Sequence, residues 1–418
     1  MADGGRIVFA ACRPPYPLDN GARIRTHRLL TGLARTFDVV LVTNEFDPGH
    51  PDGHVPRELL ERHLPGVEIV TVRHQGASKR AAQAVSLAHR GSWTLGRYQS
   101  RAYAAALVHV AARQRPDIVH FDDPAVALLP PPPGALSVYS AHNIEQTLLR
   151  REARAGSLPR RAFSTLEAHK VAGEERRIWR TMNLCLAVSA LDGAAMRAGG
   201  ARRVELCPNG ADPVERLPLA PAAAGEPLRL LFVGSGNYAP YERGLAWLVR
   251  DVLPRVRGQL PVCLDVVGAP PSAPVAADGV RYLGRVEAVA PHYAAAHVVV
   301  VPVFEGSGTR LKIIEAAAFG RPVVSTHVGA EGLPLEPGEH FLAADDAEAF
   351  AAAVVELAGR WREPHKSLER MLAGAHERVQ PLTWPRIVEG LVSLYSAEAA
   401  QLRGAGAAAA TTTAGTAP

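Results

Sequence analysis

The stretch FEGSGTRLKIIEAAAFGRPVVSTHVGAEGL, residues Phe304–Leu333, carries the most information about the fold. Its pattern predicts the end of a strand, a glycine loop, a helix, a tight turn and a second strand, which together form one unit of a parallel sheet. Gly306 and Gly308 alternate with the small residues Ser307 and Thr309 in the loop. Backbone N–H groups therefore stay accessible where the helix begins, and such a helix start suits a phosphate group.

Charged residues follow this glycine loop at helical spacing. Arg310 and Lys312 place two cations at the start of the helix, and Glu315 lies one to two turns into it. A carboxylate at that position can accept two hydrogen bonds from a ribose. The alternative is structural: Glu315 complements the helix dipole, and the two cations are surface charges.

Outside this stretch, short apolar runs alternate with longer helix-like segments in both halves of the chain. The alternation predicts βαβ units and therefore two α/β domains, each a doubly wound, Rossmann-like parallel sheet. The expected strands of the first half are Arg6–Ala11, Phe37–Thr43, Val67–Val72, Asp117–Phe121, Leu136–Ser140 and Asn183–Val188. Those of the second half are Leu228–Val233, Val262–Val267, Val280–Leu283, His297–Val303 and Pro322–Ser325.

Breaks in this alternation predict the domain boundaries. We expect an N-terminal domain over residues 1–212, a Pro- and Ala-rich linker over 213–227, and a C-terminal domain over 228–382. A helix over 383–402 is expected to pack back on the N-terminal domain, and the low-complexity tail 403–418 to be disordered. Two such domains place a cleft between the carboxyl ends of their sheets, where open α/β sheets bind ligands.

Composition excludes several classes of protein. Of 418 residues, 47% are hydrophobic and 21% charged, which excludes a largely disordered or fibrous chain. The four cysteines form no C-x-x-C pair and are too few for a disulfide framework, so we expect a reducing, cytoplasmic setting. The sequence predicts neither a signal peptide nor a membrane span, hence a soluble or peripheral protein.

A basic stretch without acids lies between Glu68 and Asp117. It holds eight cations: Arg73, Lys79, Arg80, Arg90, Arg97, Arg101, Arg113 and Arg115. Two interpretations stay open, a solvated basic face or a patch that faces an anionic membrane or an anionic acceptor. Nucleic acid is not an expected partner, because no helix-turn-helix, zinc or RNA-binding signature accompanies the charge.

Five segments, in order and spacing, make the chain resemble family 4 glycosyltransferases. Phe304–Leu333 resembles their donor-binding segment, in the subset that reads GSGTRLK-(I/L)-(L/I)-EA. The other four segments are PPYPLDNGARIRTHRLLTGLA (Pro14–Ala34), AHNIEQTLLRR (Ala141–Arg151), CPNGAD (Cys207–Asp212) and LLFVGSGNYAPYERGLAWLVRDVLP (Leu230–Pro254). The resemblance covers roughly residues 6–396 and implies the GT-B fold.

The resemblance also implies a function. It indicates a retaining glycosyltransferase that moves a sugar from a nucleotide-diphosphate donor, bound mainly by the second domain, to a glycan or lipid-linked acceptor, bound mainly by the first. The expected setting is polysaccharide or glycolipid synthesis in the cytoplasm or at the cytoplasmic membrane face. Alternatives are another GT-B activity (a sugar-nucleotide epimerase or an inverting transferase) or a sugar-nucleotide-binding protein that has lost turnover. No separate cofactor is expected, and no metal-ligand spacing such as H-E-x-x-H occurs.

The acids of the donor-binding segment depart from the pattern of the family, which is E-x7-E. Glu315 matches the second acid, which the resemblance assigns to the ribose, but the first falls on Ser307. The contact with the donor sugar therefore has three candidates: Glu305, Ser307 or backbone N–H groups. Because the usual Arg and Lys pair after the first donor-domain strand is missing, Arg310 and Lys312 are the candidates for neutralising the diphosphate.

Other candidates are matched to the family or placed at strand ends. His142 follows the expected strand Leu136–Ser140 and, with Glu305, is a candidate catalytic residue; a structural role for a histidine at a strand end is the alternative. Candidate acceptor contacts come from the acids of the segment His120–Asp123. The donor-binding candidates are Gly21, Gly234, Gly308, Thr309, Arg310, Lys312 and Glu315.

Overall fold

The computed structural model describes residues 5–48, 50, 52–74, 83, 86, 89, 91–155, 158–217, 226–236, 238–271, 273–306, 308–362 and 366–414. The chain divides into two compact units. The first comprises Met1–Leu18, Ala22–Pro208 and Pro385–Pro418, and the second Asp19–Gly21 and Asn209–Trp384. The division after Pro208 precedes the expected boundary by four residues. Most of the expected linker, residues 218–225, lies outside the described residues.

The first unit is built on a seven-stranded parallel sheet. Its strands are β1 (Arg6–Ala11), β2 (Asp38–Phe46), β3 (Val67–His74), β4 (Ile118–Phe121), β5 (Leu136–Ser140), β6 (Leu184–Ala187) and β7 (Val204–Leu206). Their spatial order is β3-β2-β1-β4-β5-β6-β7. The order reverses between β1 and β4, so the switch point lies where Cys12 and Asp122 follow these two strands.

The helices of the first unit surround this sheet. They are α1 (Gly21–Leu33), α2 (Arg57–His63), α3 (Trp93–Gly96), α4 (Arg101–Gln114), α5 (Pro124–Ala127), α6 (Glu145–Ala155), α7 (Leu158–Thr181) and α8 (Ala190–Ala198). The C-terminal helix also groups with this unit from Pro385 onward.

The second unit contains a six-stranded parallel sheet. Its strands are β8 (Leu228–Val233), β9 (Val262–Val267), β10 (Val280–Gly284), β11 (Val298–Val301), β12 (Val323–Ser325) and β13 (Leu342–Ala343), in the order β10-β9-β8-β11-β12-β13. All four valines of β11 are fully buried, and they alternate between two hydrophobic clusters. Both faces of this sheet are therefore covered, as expected for a doubly wound fold.

The helices of the second unit follow its strands. They are α9 (Ala239–Trp247), α10 (Leu253–Arg257), α11 (Ala290–Ala295), α12 (Leu311–Ala318), α13 (His327–Ala330), α14 (Ala347–Arg362) and α15 (Lys366–Val379). A π-helical segment, Leu248–Val252, joins α9 to α10. Pro254 has no N–H to donate to the carbonyl of Arg250, which explains the wider turn.

The C-terminal helix, α16, differs from the expectation. It runs from Trp384 to Ala414, whereas the sequence predicts a helix over 383–402 followed by a disordered tail. Residues 415–418 lie outside the described residues. The side chains at the start of this helix explain its position, because Ile387, Leu391, Tyr395 and Ala399 recur every four residues and are buried.

Candidate active site

The glycine loop of the second unit follows β11 at the switch point of its sheet. Gly306 has φ +122° and Gly308 has φ +72°, backbone conformations that residues with a Cβ rarely adopt. A Cβ at Gly306 would also lie 2.5 Å from Nη2 of Arg310. The loop therefore requires both glycines to bring the chain to α12, which begins after Arg310. Ser307 lies outside the described residues.

Lys312 is a buried cation in this site. It is 6% exposed, and its Nζ lies 3.6 Å from the ring centroid of Tyr241 and 5.0 Å from that of Phe232. This ammonium group has no hydrogen-bond partner among the residues that the structure describes. Burial, assisted by the positive charge of Arg310, lowers the pKa of Lys312 to about 7. The carboxylate of Glu315 and the ring of Tyr241 compensate this charge only in part, and a bound anion would stabilise it further.

Glu315 lies one turn further along α12. Its carboxylate accepts a hydrogen bond of 2.8 Å from Oη of Tyr293, a fully buried residue of α11. Burial raises the pKa of Glu315, while the hydrogen bond from Tyr293 and the charge of Lys312 act against that rise. The carboxylate is therefore held in place by a neighbouring helix and keeps further acceptor positions for a ligand.

The other predicted donor-binding residues of this unit lie around the same helix start. A Cβ at Gly234 would be 2.9 Å from Nζ of Lys312, and a Cβ at Gly21 would be 3.2 Å from Cδ1 of Leu311. Nδ2 of Asn209 donates a hydrogen bond of 3.0 Å to Oγ1 of Thr309. The structure thus brings the glycines found in three separate sequence motifs to the start of α12.

Glu305 occupies a different position in the second unit. Its carboxylate forms an ion pair with Arg243 of α9, and its side chain is 13% exposed. Both residues line a pocket of about 310 Å³ with Pro240, Trp247 and Phe304. Sequence analysis did not single out Arg243, because this arginine lies inside a helix rather than in the loop after β8. The sequence does not show that this helix lies against the segment that follows β11. In the structure the two are so close that a Cβ at Gly244 would lie 1.8 Å from the carbonyl oxygen of Pro302.

The site of the first unit is centred on Asp122, which directly follows β4. Its Oδ2 accepts a hydrogen bond of 3.2 Å from Nε2 of His142 and another from the hydroxyl of Thr26. The residue is 2% exposed. Burial alone would raise the pKa of Asp122, but the charge of His142 and hydrogen bonds from His120 and His142 hold it well below its usual range.

His142 and Asp123 have different roles in this arrangement. The side chain of His142 is 15% exposed, so its ring reaches the surface while its Nε2 is held by Asp122. Asp123 caps α5 by accepting hydrogen bonds from the N–H groups of Ala125 and Val126, and it accepts another from the N–H of Cys12. Of the two candidate acids at this strand end, Asp122 thus contacts His142, and Asp123 supports the backbone.

Three further features concern metal ions, membrane spans and the basic stretch. Within the described residues, no three His, Cys, Asp or Glu side chains come together as ligands for a metal ion. In the same residues, no helix has the length and apolar character needed to cross a bilayer. Of the basic stretch, Lys79, Arg80 and Arg90 lie outside the described residues, while Arg73, Arg97, Arg101, Arg113 and Arg115 are exposed.

Comparison with protein families connects this geometry to a known class. Residues 227–360 match the family "Glycosyl transferases group 1". This range contains β8, the glycine loop and α12, and hence Lys312, Glu315 and Arg243.

Two curated relatives carry glycosyltransferase names. A D-inositol 3-phosphate glycosyltransferase of Geodermatophilus obscurus is 34% identical over 133 residues, which is 31% of this chain and 28% of the relative. A phosphatidyl-myo-inositol mannosyltransferase of Mycobacterium leprae is 30% identical over 218 residues, which is 48% of this chain and 55% of the relative. The matches therefore span about half or less of the length of these relatives.

Solved structures show the fold over nearly the whole chain. Sucrose-phosphate synthase of Thermosynechococcus elongatus matches with a TM-score of 0.67 at 20% identity, covering 96% of this chain and 100% of that one. The Anabaena protein HepE, solved with UDP-glucose, matches with a TM-score of 0.61 at 15% identity over 93% and 99% of the two chains. The two parallel-sheet, Rossmann-like units therefore have the GT-B fold, as expected from the sequence.

Proposed function

We propose that the protein is a retaining glycosyltransferase that moves a sugar from a nucleotide-diphosphate donor to a glycan or lipid-linked acceptor. The observation that carries this proposal is the buried Lys312 ammonium, which has no hydrogen-bond partner among the described residues and lies beside Arg310 and Glu315 at the switch point of the sheet in the second unit. A diphosphate supplies the anion that this cation lacks. The match of residues 227–360 to the group 1 glycosyl transferases supports the same conclusion.

Each part of this site has a role in the proposed reaction. Lys312, Arg310 and the N–H groups of the glycine loop stabilise the charge that develops on the departing diphosphate. Glu315 accepts hydrogen bonds from the ribose, and Tyr293 orients its carboxylate. We assign donor binding to the second unit, and acceptor binding to the first unit, where His142 reaches the surface.

The proposed bond changes balance without an additional reactant. The bond between sugar C1 and the phosphate oxygen breaks, and a bond from C1 to the acceptor hydroxyl oxygen forms on the same face of the sugar. The hydroxyl proton passes to the departing phosphate oxygen. A nucleoside diphosphate is released, and the anomeric configuration is retained.

The hydrogen bond between His142 and Asp122 favours a second candidate, an inverting transferase. A histidine held by a buried carboxylate can take the proton of an acceptor hydroxyl as a general base. In that reaction the acceptor attacks C1 from the face opposite the diphosphate, so the configuration inverts.

A donor panel with product analysis tests the proposal. The protein is incubated with UDP-, GDP- and ADP-sugars and candidate glycan acceptors, and nucleoside diphosphate release and sugar transfer are measured. NMR coupling constants of the new glycosidic bond give its configuration: retention supports the first candidate and inversion the second. Saturable binding of a nucleotide sugar without any release of nucleoside diphosphate would contradict both and indicate a binding protein.

The basic stretch supports a further part of the proposal, attachment to the cytoplasmic membrane face. Helix α4 exposes Arg101 together with the apolar Val108, which is 59% exposed, and Arg97 is exposed just before it. Each cation near an anionic bilayer contributes about 1 kcal/mol, screened by salt. Flotation with anionic liposomes should capture the protein at low salt, and Arg97→Glu with Arg101→Glu should weaken capture more than the equally exposed controls Arg62→Glu with Arg202→Glu. A protein that stays with the soluble fraction would refute membrane attachment alone.

A further inference from the structure

The C-terminal helix contributes a tyrosine to the polar residues behind His142. Tyr395 of α16 is fully buried, and its Oη lies 2.6 Å from Nδ1 of His120. His120 is also fully buried, and its Nε2 lies 3.4 Å from Oδ1 of Asp122. The other carboxylate oxygen of Asp122 accepts the hydrogen bond from His142. Four polar side chains, from α16, from the end of β4 and from the turn after β5, are thus connected in sequence.

The protonation states of these residues decide which atom donates and which accepts in each hydrogen bond. The lowered pKa of Asp122 keeps it ionised, so it can only accept hydrogen bonds. Burial lowers the pKa of His120, so its ring is neutral and carries one proton. Nε2 of His120 faces the carboxylate and must carry that proton, which leaves Nδ1 as an acceptor.

Tyr395 completes this arrangement as a donor. Burial raises the pKa of Tyr395 well above its usual value, so its hydroxyl keeps its proton and donates it to Nδ1 of His120. The phenol thereby fixes the tautomer of His120. His142 donates from Nε2 to the other oxygen of the same carboxylate, so Nδ1 is the ring nitrogen that Asp122 does not engage.

Packing holds the tyrosine in this position. The ring of His120 stacks on Phe9 at a centroid distance of 4.1 Å, and Phe37 contacts Tyr395 edge to face at 6.4 Å. Helix α16 approaches α1 closely, because a Cβ at Gly32 would lie 2.4 Å from Cγ1 of Val388. The other titratable or charged groups that face the chain of contacts are Arg25 and Cys207.

We propose that Tyr395 and His120 are positioning residues that act through Asp122 to fix the orientation and tautomer of His142. This inference rests on the proposed function, in which His142 contacts a substrate. It gives the C-terminal helix a role in the reaction beyond covering the sheet. Without the phenol, Nδ1 of His120 is a buried acceptor that has lost its donor, and Asp122 alone holds the tautomer of His120.

The variant Tyr395→Phe tests this inference, because it removes one hydroxyl and keeps the ring. We expect kcat to fall about tenfold, the KM for the nucleotide sugar to change less than twofold, and the pH profile of kcat to shift. Tyr103→Phe is the matched control, because Tyr103 is also a buried tyrosine of the first unit but donates to the backbone carbonyl of Val42. An unchanged kcat and pH profile in Tyr395→Phe, or the same changes in Tyr103→Phe, would overturn the inference.

NMR of the protein with ¹⁵N-labelled histidine rings provides a readout independent of activity. The signals of His120 are identified by their loss in His120→Gln. We expect Nε2 of His120 to carry the proton in the unchanged protein, and a larger fraction of rings protonated on Nδ1 in Tyr395→Phe, because only Asp122 then favours the first tautomer. A proton on Nδ1 in the unchanged protein refutes the inference even if Tyr395→Phe does not fold. A protein that transfers no sugar refutes the proposed function, while this spectrum still decides the tautomer.

Discussion

Asp122 in the first unit and Lys312 in the second are both buried charges at the switch point of a parallel sheet, but their surroundings differ. Asp122 accepts hydrogen bonds from His142, His120 and Thr26. Lys312 faces aromatic rings, and its Nζ has no hydrogen-bond partner within the described residues. The protein therefore supplies hydrogen-bond partners for the first charge, whereas the second has only the nearby charge of Glu315 and the aromatic rings.

This difference separates two ways of building a site. The carboxylate of Asp122 stabilises the folded chain and keeps His142 in one orientation before any ligand arrives. The ammonium of Lys312 destabilises the folded chain until an anion binds, so part of the affinity for that anion comes from relieving an unfavourable state. Substitutions of these two residues should therefore have opposite effects on stability.

The largest effect is expected from Asp122→Ala. The change leaves the buried Nε2–H of His120 without its acceptor, while the hydroxyl of Thr26 keeps the carbonyl of Ala22, and the free energy of unfolding should fall by about 3 kcal/mol. Urea unfolding at pH 7 measures this loss, with Asp38→Ala as the control. The side chain of Asp38 is 62% exposed in its ion pair with Arg6, so its loss should cost less than 1 kcal/mol.

The stability lost in Asp122→Ala should depend on pH, because the pKa of Asp122 differs between the folded and unfolded states. Because the pKa of Asp122 is lower in the folded state, its stabilisation is present above the unfolded pKa and is lost as the pH falls through the folded pKa. The difference in the free energy of unfolding between the unchanged protein and Asp122→Ala should therefore become smaller as the pH is lowered. Equal losses in Asp122→Ala and Asp38→Ala would show that the carboxylate of Asp122 is not compensated as described.

The second prediction concerns Lys312→Met. Removing a buried charge that is only partly compensated should raise the free energy of unfolding at pH 6 by about 1–2 kcal/mol, while the affinity for a nucleoside diphosphate falls by about 2–3 kcal/mol. Calorimetry with UDP, GDP and ADP measures the affinity, and urea unfolding measures the stability. Lys366→Met is the control, because Lys366 is an exposed lysine of the same unit and should change neither quantity. If Lys312→Met is less stable than the unchanged protein and binds the diphosphate with the same affinity, the difference between Asp122 and Lys312 described above is refuted.

Glu315→Ala should weaken the same binding by about 1.5–3 kcal/mol, because a charge-assisted pair of hydrogen bonds to the ribose is lost. The deficit should be equal for the nucleoside diphosphate and the nucleoside monophosphate, since both contain the ribose. In Lys312→Met the deficit should be larger for the diphosphate. Glu348→Ala, at an exposed acid in the first turn of α14, is the control. An unchanged dissociation constant would leave Glu315 as a residue that only complements its helix.

A smaller effect is the proton taken up when the diphosphate binds. The pKa of Lys312 is about 7 in the unbound protein, and a bound anion raises it. At pH 8 we expect uptake of up to about one proton, at pH 6 little, and hence an affinity that falls as the pH rises above 7. Calorimetry in buffers of different ionisation enthalpy measures this uptake. The same measurement on Lys312→Met gives the protons that the nucleotide itself takes up or releases, because this variant lacks the ammonium group. Uptake that is the same in both proteins would assign the proton to another group.

Much of this fold could be predicted from the sequence, because buried parallel strands leave continuous apolar runs. The bounds of Arg6–Ala11, Leu136–Ser140, Leu228–Val233 and Val262–Val267 agree with the structure. The strands that were missed lie at sheet edges, where a few partly exposed residues form no apolar run. They are Val204–Leu206 and Leu342–Ala343.

The site could be predicted only in part. Lys312 and Glu315 lie in one motif, so their spacing placed them together on α12. Their partners Tyr241 and Tyr293 come from other helices, and no spacing in the sequence indicates those contacts. Tyr395 is the extreme case, since 275 positions separate it from His120.

The smallest effect is expected from Arg243→Gln. This variant tests a partly exposed ion pair, in contrast to the buried charges of Asp122 and Lys312. The side chain of Arg243 is 42% exposed, so its ion pair with Glu305 should contribute less than about 1 kcal/mol to stability. Its effect on binding should be of similar size, because the released carboxylate of Glu305, next to the glycine loop, repels an anionic diphosphate. The double variant Arg243→Gln with Glu305→Gln should restore the affinity. Calorimetry of the unchanged protein, the two single variants and the double variant gives the coupling energy between the two residues.

The control is Arg281→Gln: Arg281 is 55% exposed and paired with Asp265 in the same unit, so its loss should leave diphosphate binding unchanged. If the double variant binds no better than Arg243→Gln, then Arg243 contacts the diphosphate itself, and the second unit contains a compensating cation that is exchanged between Glu305 and the ligand.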